Sequence, residues 1–205
     1  MNENLSEHTR NILGLQLPTD PRWVNLAEMQ LEDILTDHAY CEQKAASTGI
    51  SLVQNYPDYE KVVELVTPVV TEEWGHFKMV LDQLKKRGLK LGLQRKDVYV
   101  NKLAKFIKTG GRREHSLSDK LLFSAMIEAR SCERFRLLAQ NINDDELRSF
   151  YRNLMVSEAG HYRMFLDLAI EVRGDHDAVM NRWQEWLDYE AELMKEMELR
   201  GDRMH

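Results

Sequence analysis

The sequence predicts an all-α fold: a four-helix bundle with a crossover connection between its halves and extra helical segments at the N- and C-terminal ends. Three observations carry that expectation. Apolar residues recur with a period near 3.6 through most of the 205 residues, and few stretches alternate with period two. Gly and Pro, which interrupt helices, number only 10 and 4. Finally, Glu73-Trp74-Gly75-His76-Phe77-Lys78-Met79 returns 85 residues later as Glu158-Ala159-Gly160-His161-Tyr162-Arg163-Met164. Each copy follows another Glu in an apolar stretch: Glu42 lies 31 residues before Glu73, and Glu128 lies 30 before Glu158.

The elements follow in order. A first helix is expected from about Pro21 to Ser47, ending near Gly49, and a second from about Pro57 to Arg87, stopping at Gly88. Pro68 should kink the second helix, unless the helix restarts there with Thr67 as its cap. Leu89 to Gly111 reads as a connector with a short helix around Val98–Lys108 and a break at Gly110-Gly111. A third core helix should span Ser116 to Asn141, capped by Ser116 or Ser118. The fourth runs from Asn143-Asp144 to Arg173 and ends at Gly174. A final acidic helix, about Asp175 to Arg200, offers Trp183, Trp186, Leu187, Leu193, Met194 and Met197 to the bundle. The whole is expected to form one domain, residues 1–205, with its core bundle over about 22–173, its basic connector over about 85–115 and its C-terminal helix over about 175–200.

Composition narrows the class further. No run of 18 apolar residues is present, and Met1-Asn2-Glu3-Asn4 lacks the apolar core of a signal peptide, so no membrane is expected as a partner. Cys41 and Cys132 are the only cysteines, which fits a reducing cytoplasm and no disulfide framework. The formal net charge of -6 conceals an asymmetry. Between Lys85 and His115 stand eleven Lys/Arg against Asp97 and Glu114, a local excess of +9 on an acidic body. Such a segment is either a footprint for a polyanion or a solvated connector.

The chemistry lies on the apolar stripes. Leu147, Tyr151, Leu154, Glu158, His161, Phe165, Leu168 and Val172 keep a 4-3-4-3 spacing, and Val66, Val69, Glu73, His76 and Val80 follow the same rhythm. Glu42 shares a stripe with Leu31, Leu35, His38 and Ala45, and Glu128 with Leu121, Ala125, Cys132 and Phe135. A carboxylate on a core stripe costs several kcal/mol unless paired or metal-bound. Four carboxylates with two histidines in one bundle therefore point to metal. Two single-Glu helices and two Glu-x-x-His helices are the ligand set of a carboxylate-bridged di-iron or di-manganese bundle.

By analogy with such bundles Glu42, Glu73 and His76 would serve one metal and Glu128, Glu158 and His161 the other, with Glu73 and Glu158 bridging. Glu133 competes with Glu128 but lies about 140° around the helix, off the stripe. Glu72 and His38 are candidates to support the ligands by hydrogen bonding, with a surface role for Glu72 and a satisfied core role for His38 as alternatives. Cys132 stands near the site, though it and Cys41 suit small buried hydrophobes better than ligands. Gly75 and Gly160, at matched positions inside helices, suggest close helix packing beside each histidine.

Two further segments narrow the reading. Asp37-His38-Ala39-Tyr40-Cys41-Glu42-Gln43-Lys44-Ala45-Ala46-Ser47 and Ile127-Glu128-Ala129-Arg130-Ser131-Cys132-Glu133-Arg134-Phe135 resemble the bacterial tRNA-(2-methylthio-N6-isopentenyladenosine) hydroxylases, which are ferritin-like non-haem di-iron monooxygenases. With the two Glu-x-x-His segments the resemblance covers roughly Leu26 to Val172. It implies hydroxylation of the isopentenyl group on the modified adenosine beside the tRNA anticodon, using O2 and two electrons from an external reductase. Carried over position by position, it implies two iron ions held by Glu42, Glu73, His76, Glu128, Glu158 and His161. It also gives the basic connector a use. Lys85, Lys86, Arg87, Arg95, Lys96, Arg112 and Arg113 become candidate contacts to a tRNA carrying prenylated adenosine. Other ferritin-like activities share the ligand set: ferroxidase or iron storage, peroxide reduction and manganese catalase. A non-catalytic RNA- or protein-binding bundle that retains the site is a further alternative.

Overall fold

The computed structural model describes residues 13–205. Seven α-helices lie in order among them: α1 (Trp23–Met29), α2 (Leu31–Asn55), α3 (Glu60–Lys86), α4 (Val98–Leu103), α5 (Arg113–Asn141), α6 (Asp145–Arg173) and α7 (His176–Glu196), with one 3-10 turn at Ala104–Phe106 after α4. The short connections after α2 and α5 make α2–α3 and α5–α6 antiparallel neighbours. The long passage from Arg87 to Arg112 crosses from one pair to the other. No helix among the described residues is long and apolar enough to cross a membrane.

Element ends follow local chemistry. Asp144 and Asp175 cap α6 and α7 by accepting the N–H groups of Leu147 (2.9 Å) and Ala178 (3.0 Å), each interaction worth about 1 kcal/mol. Asp97 does the same for α4 through Val100. Gly88 and Gly174 take positive φ at the ends of α3 and α6, where a left-handed residue satisfies the last carbonyls.

Four expected boundaries differ. The first helix is two helices, broken at Gln30, and α2 runs past Gly49 to Asn55. Gly49 is a packing position: a Cβ there would sit 2.6 Å from Val70 Cγ2 on α3. Helix α3 is continuous through Pro68, and Thr67, far from capping a restart, donates its hydroxyl to the Val63 carbonyl one turn back (2.6 Å). Helix α5 begins at Arg113, a turn early, and Ser118 is no cap; its hydroxyl donates to the Ala169 carbonyl on α6 (3.0 Å). The last helix stops at Glu196, and residues 197–205 fold back onto the bundle.

The apolar core has two halves. One gathers Val66, Val69, Leu121, Phe165 and the α7 tryptophans; the other gathers Leu35, Val80, Leu84, Phe135, Tyr151 and Leu154. Along each of α2, α3, α5 and α6 the glutamates and histidines fall between these halves. The bundle therefore carries a polar layer across its middle.

Candidate metal centre

Each of the four long helices delivers its polar residues to that layer from the apolar stripe. Glu42, Glu73, His76, Glu128, Glu158 and His161 are all buried. Their donor atoms form two groups, Glu42/Glu73/His76/Glu158 and Glu73/Glu128/Glu158/His161. Within each group the atoms lie within 4.8 Å of one another, and Glu73 and Glu158 belong to both.

The distances inside the first group are informative. His76 Nδ1 stands 3.7 Å from Glu42 Oε2, 3.7 Å from Glu73 Oε2 and 3.6 Å from Glu158 Oε1. Those separations are too long for hydrogen bonds. They match atoms around a common cation, since metal–ligand bonds of about 2.0–2.2 Å put tetrahedral neighbours about 3.4 Å apart. In the second group His161 Nδ1 lies 2.8 Å from Glu73 Oε1 and 3.8 Å from Glu158 Oε2. The shorter contact is out of line for a hydrogen bond.

Glu73 Oε1, Glu158 Oε1 and both histidine Nδ1 atoms are buried and lack hydrogen-bond partners. Leaving such groups unmet is costly, and a pair of cations in the layer would satisfy them together. The donor set fits a di-metal site. Carboxylate-rich ligation with imidazole suits iron or manganese better than the thiolate-rich sites of zinc.

The buried groups of the layer perturb one another's protonation. Burial pushes Glu42 and Glu128 well above the ordinary carboxylate range, and the neighbouring glutamates add to the effect. At Glu73 burial is outweighed by His161 and His76, so that carboxyl is held low. Burial is likewise outweighed at the histidines. The Glu42 and Glu73 carboxylates raise His76 to about 10, and Glu158 and Glu73 raise His161 to about 11.

The layer is braced from outside. His38 Nε2 is 2.6 Å from Glu42 Oε1. The ring is wedged among Phe135, Phe150 and Tyr151, and burial with the nearby His76 lowers its pKa to about 3. A neutral His38 donates its Nε2–H to Glu42 and fixes that carboxylate. Glu72 Oε2 lies 2.9 Å from His161 Nε2, and the Nε2–H···O bond orients the ring so that Nδ1 faces the layer. Cys132 donates its thiol to the Met155 carbonyl (3.4 Å), and burial with the Glu158 charge raises it to about 12, so it stays a thiol. Glu133 points elsewhere, to Thr19 Oγ1 (2.6 Å) and Arg130 Nη1 (3.0 Å), in a network that includes Glu190.

Gly75 and Gly160 correct an expectation. A Cβ on either would meet nothing within 4 Å, so no close helix contact requires them.

The basic residues are largely paired within the fold. Lys86 pairs with Glu146, Arg87 with Asp144 (2.6 Å) and Arg113 with Asp58 (2.7 Å). Arg95 bridges Asp33 (3.1 Å) and Asp202 (3.0 Å), and Arg112 stands 3.7 Å from Glu114. Among the described residues Lys85 and Lys96 have no carboxylate partner.

A cavity of about 60 Å³ adjoins the layer, walled by Glu42, Glu73, Glu128 and Glu158 and by neighbours that carry no functional motif in the sequence. Ala45, Val69, Ser124 and Phe165 line it, each about one turn from a candidate ligand toward the same end of the bundle. That regularity was available in the sequence as an offset of three or four residues. The contributions of Met204 and His205 had no such signal. They arrive through the folded-back tail, with His205 stacked on Tyr99 and its Nε2 2.9 Å from Ser131 Oγ.

Known proteins resemble the chain in fold and sequence. A solved structure titled "Protein 43 with aldehyde deformylating oxygenase activity from Synechococcus" superposes with a TM-score of 0.86 at 33% identity, covering 93% of this chain and 94% of its own. A tRNA 2-(methylsulfanyl)-N(6)-isopentenyladenosine(37) hydroxylase from Pseudomonas putida is 37% identical over 155 residues, 76% of this chain and 74% of the relative. The Salmonella typhimurium protein of the same name is 28% identical over 88% of this chain and 83% of its own length. The family described as tRNA-(MS[2]IO[6]A)-hydroxylase (MiaE) matches residues 6–205. With its four-helix core and its polar layer of glutamates and histidines, the chain belongs to that tRNA hydroxylase family.

Proposed function

We propose that the chain hydroxylates the isopentenyl group of the modified adenosine at tRNA position 37. Its cofactor would be two iron ions, with O2 as co-substrate and an external reductase supplying two electrons. The observation that carries this is the pair of buried groups, each of three glutamates and one histidine, that share Glu73 and Glu158, in a chain of the tRNA hydroxylase family. Glu42 and His76 would hold one iron, Glu128 and His161 the other, and Glu73 and Glu158 would bridge. The iron pair, when bound, supplies the activation of O2 needed to oxidise a C–H bond of the prenyl group.

The chain's own residues supply the setting. His38 and Glu72 fix Glu42 and His161 in their ligating orientations. Val69, Ile127 and Phe165 make the cavity wall beside the layer apolar, which suits a prenyl group and excludes water. Because the neighbouring carboxylates hold His76 and His161 as cations, binding iron would displace a proton from each ring.

The test is incubation of iron-loaded protein with prenylated tRNA, O2 and a reductant, followed by nucleoside mass spectrometry. One added oxygen on the prenylated adenosine is expected. No added oxygen, with iron loading and electron supply verified, would overturn the assignment. A parallel arm with an aldehyde substrate covers the activity named for the Synechococcus structure.

A further inference from the structure

The cavity beside the metal layer is too small for the whole substrate. At about 60 Å³ it is a narrow, largely apolar space that suits an alkyl chain and not a purine. The rest of the nucleotide must lie outside its mouth. Thr48 on α2 and Phe123 on α5 line that cavity, and the same two residues line an outer groove of about 350 Å³. A groove of that size is within the range of small-molecule sites.

The groove's chemistry differs from that of the cavity. Its walls include Ser51, Asn55, Tyr56 and Lys120. Lys120 Nζ donates to the Tyr56 hydroxyl (3.1 Å) and sits 5.0 Å from the centre of that ring. No carboxylate among the described residues pairs with Lys120, whereas most cations of the basic connector are paired. Arg113 lies over the same tyrosine ring at 5.2 Å. Phe123, half-buried at the junction, presents an aromatic ring where the outer and inner spaces meet.

We propose that this groove seats the base and ribose of the prenylated adenosine while the prenyl group passes between Thr48 and Phe123 toward the metal layer. Bases in RNA are held by stacking on aromatic rings and hydrogen bonds to their edges, and Phe123 with Ser51 and Asn55 offers both. Lys120 supplies a cation for the nucleotide's phosphate. The inference rests on the tRNA-hydroxylase reading and adds the route by which the substrate enters.

The test compares iron-loaded wild type, Lys120→Ala, Ser51→Trp and Lys61→Ala on prenylated tRNA. Lys61, paired with Glu171, serves as a surface control. Lys120→Ala is expected to raise KM about tenfold, the loss of one charged hydrogen bond, with kcat within about twofold. Ser51→Trp, at an exposed position, should fill the groove and lower kcat/KM by about a hundredfold or more while iron content and melting temperature hold. Lys61→Ala should match wild type. An active wild type with Lys120→Ala and Ser51→Trp both at wild-type KM and kcat/KM would overturn the groove and leave the hydroxylase reading intact. An iron-loaded wild type that adds no oxygen to the tRNA would overturn the hydroxylase reading, and the groove with it.

Discussion

Gly75 and Gly160 show how far a single position can mislead. Both follow a glutamate of the polar layer by two residues and precede its histidine, which makes them look functional. Yet the space beside each is open. Glycine in a helix interior loses more backbone entropy than alanine, by about 1 kcal/mol. Gly75→Ala and Gly160→Ala should therefore each raise stability by about 0.5–1 kcal/mol in denaturant titrations and leave metal content unchanged. A loss of stability or of metal would mean that the backbone needs its freedom there. His38 is the opposite case. From sequence it was one polar residue on an apolar stripe; in the fold it is sealed among three aromatic rings with its Nε2 on Glu42.

At the scale of elements, the four long helices were legible because each carries an uninterrupted stripe with glutamates embedded in it. Helix α6 is the clearest, with Asp144 before it, Gly174 after it and a regular 4-3-4-3 face between. Ends were less legible wherever a glycine, serine or threonine had a tertiary use. Gly49 packs against Val70, and Ser118 bonds across to α6. The tail after α7 had no periodicity to read, because its order comes from partners far away in sequence. Asp37 accepts from Arg203 Nη1 (2.9 Å) and the Met204 N–H (2.8 Å), and Arg134 donates to the Met204 carbonyl (2.6 Å). Gly201 makes that return possible, since a Cβ there would lie 2.2 Å from the Leu26 carbonyl carbon and oxygen. Gly201→Ala should therefore lift the tail, cost about 1–3 kcal/mol as an overpacked site, and speed hydrogen exchange at the Met204 amide. Unchanged exchange would show that the tail docks without that close approach.

At the scale of the whole molecule, charge pairing should set how much each cation contributes to tRNA affinity. The sequence presented the connector as a cationic stretch, and counting charges could not reveal that the acidic body supplies its partners. Arg87 is tied to Asp144, Arg95 to Asp33 and Asp202, and Arg113 to Asp58. Paired cations release few counterions on binding a phosphate, so the electrostatic share of tRNA affinity should come from lysines without a carboxylate partner, Lys85, Lys96 and Lys120 among them. Each phosphate neutralised contributes about 0.7–0.9 to the slope of log affinity against log salt. The double variant Lys85→Ala/Lys96→Ala should then flatten that slope by about 1.4–1.8 in fluorescence anisotropy titrations with prenylated tRNA. Arg95→Ala should leave the slope in place and instead lower the melting temperature, because Arg95 also donates to the Asp33 and Asp202 carbonyls (2.9 and 2.7 Å) and so ties the tail to α2. The reverse outcome, a slope that follows Arg95 and ignores the two lysines, would mean that the ion pairs open to receive the RNA.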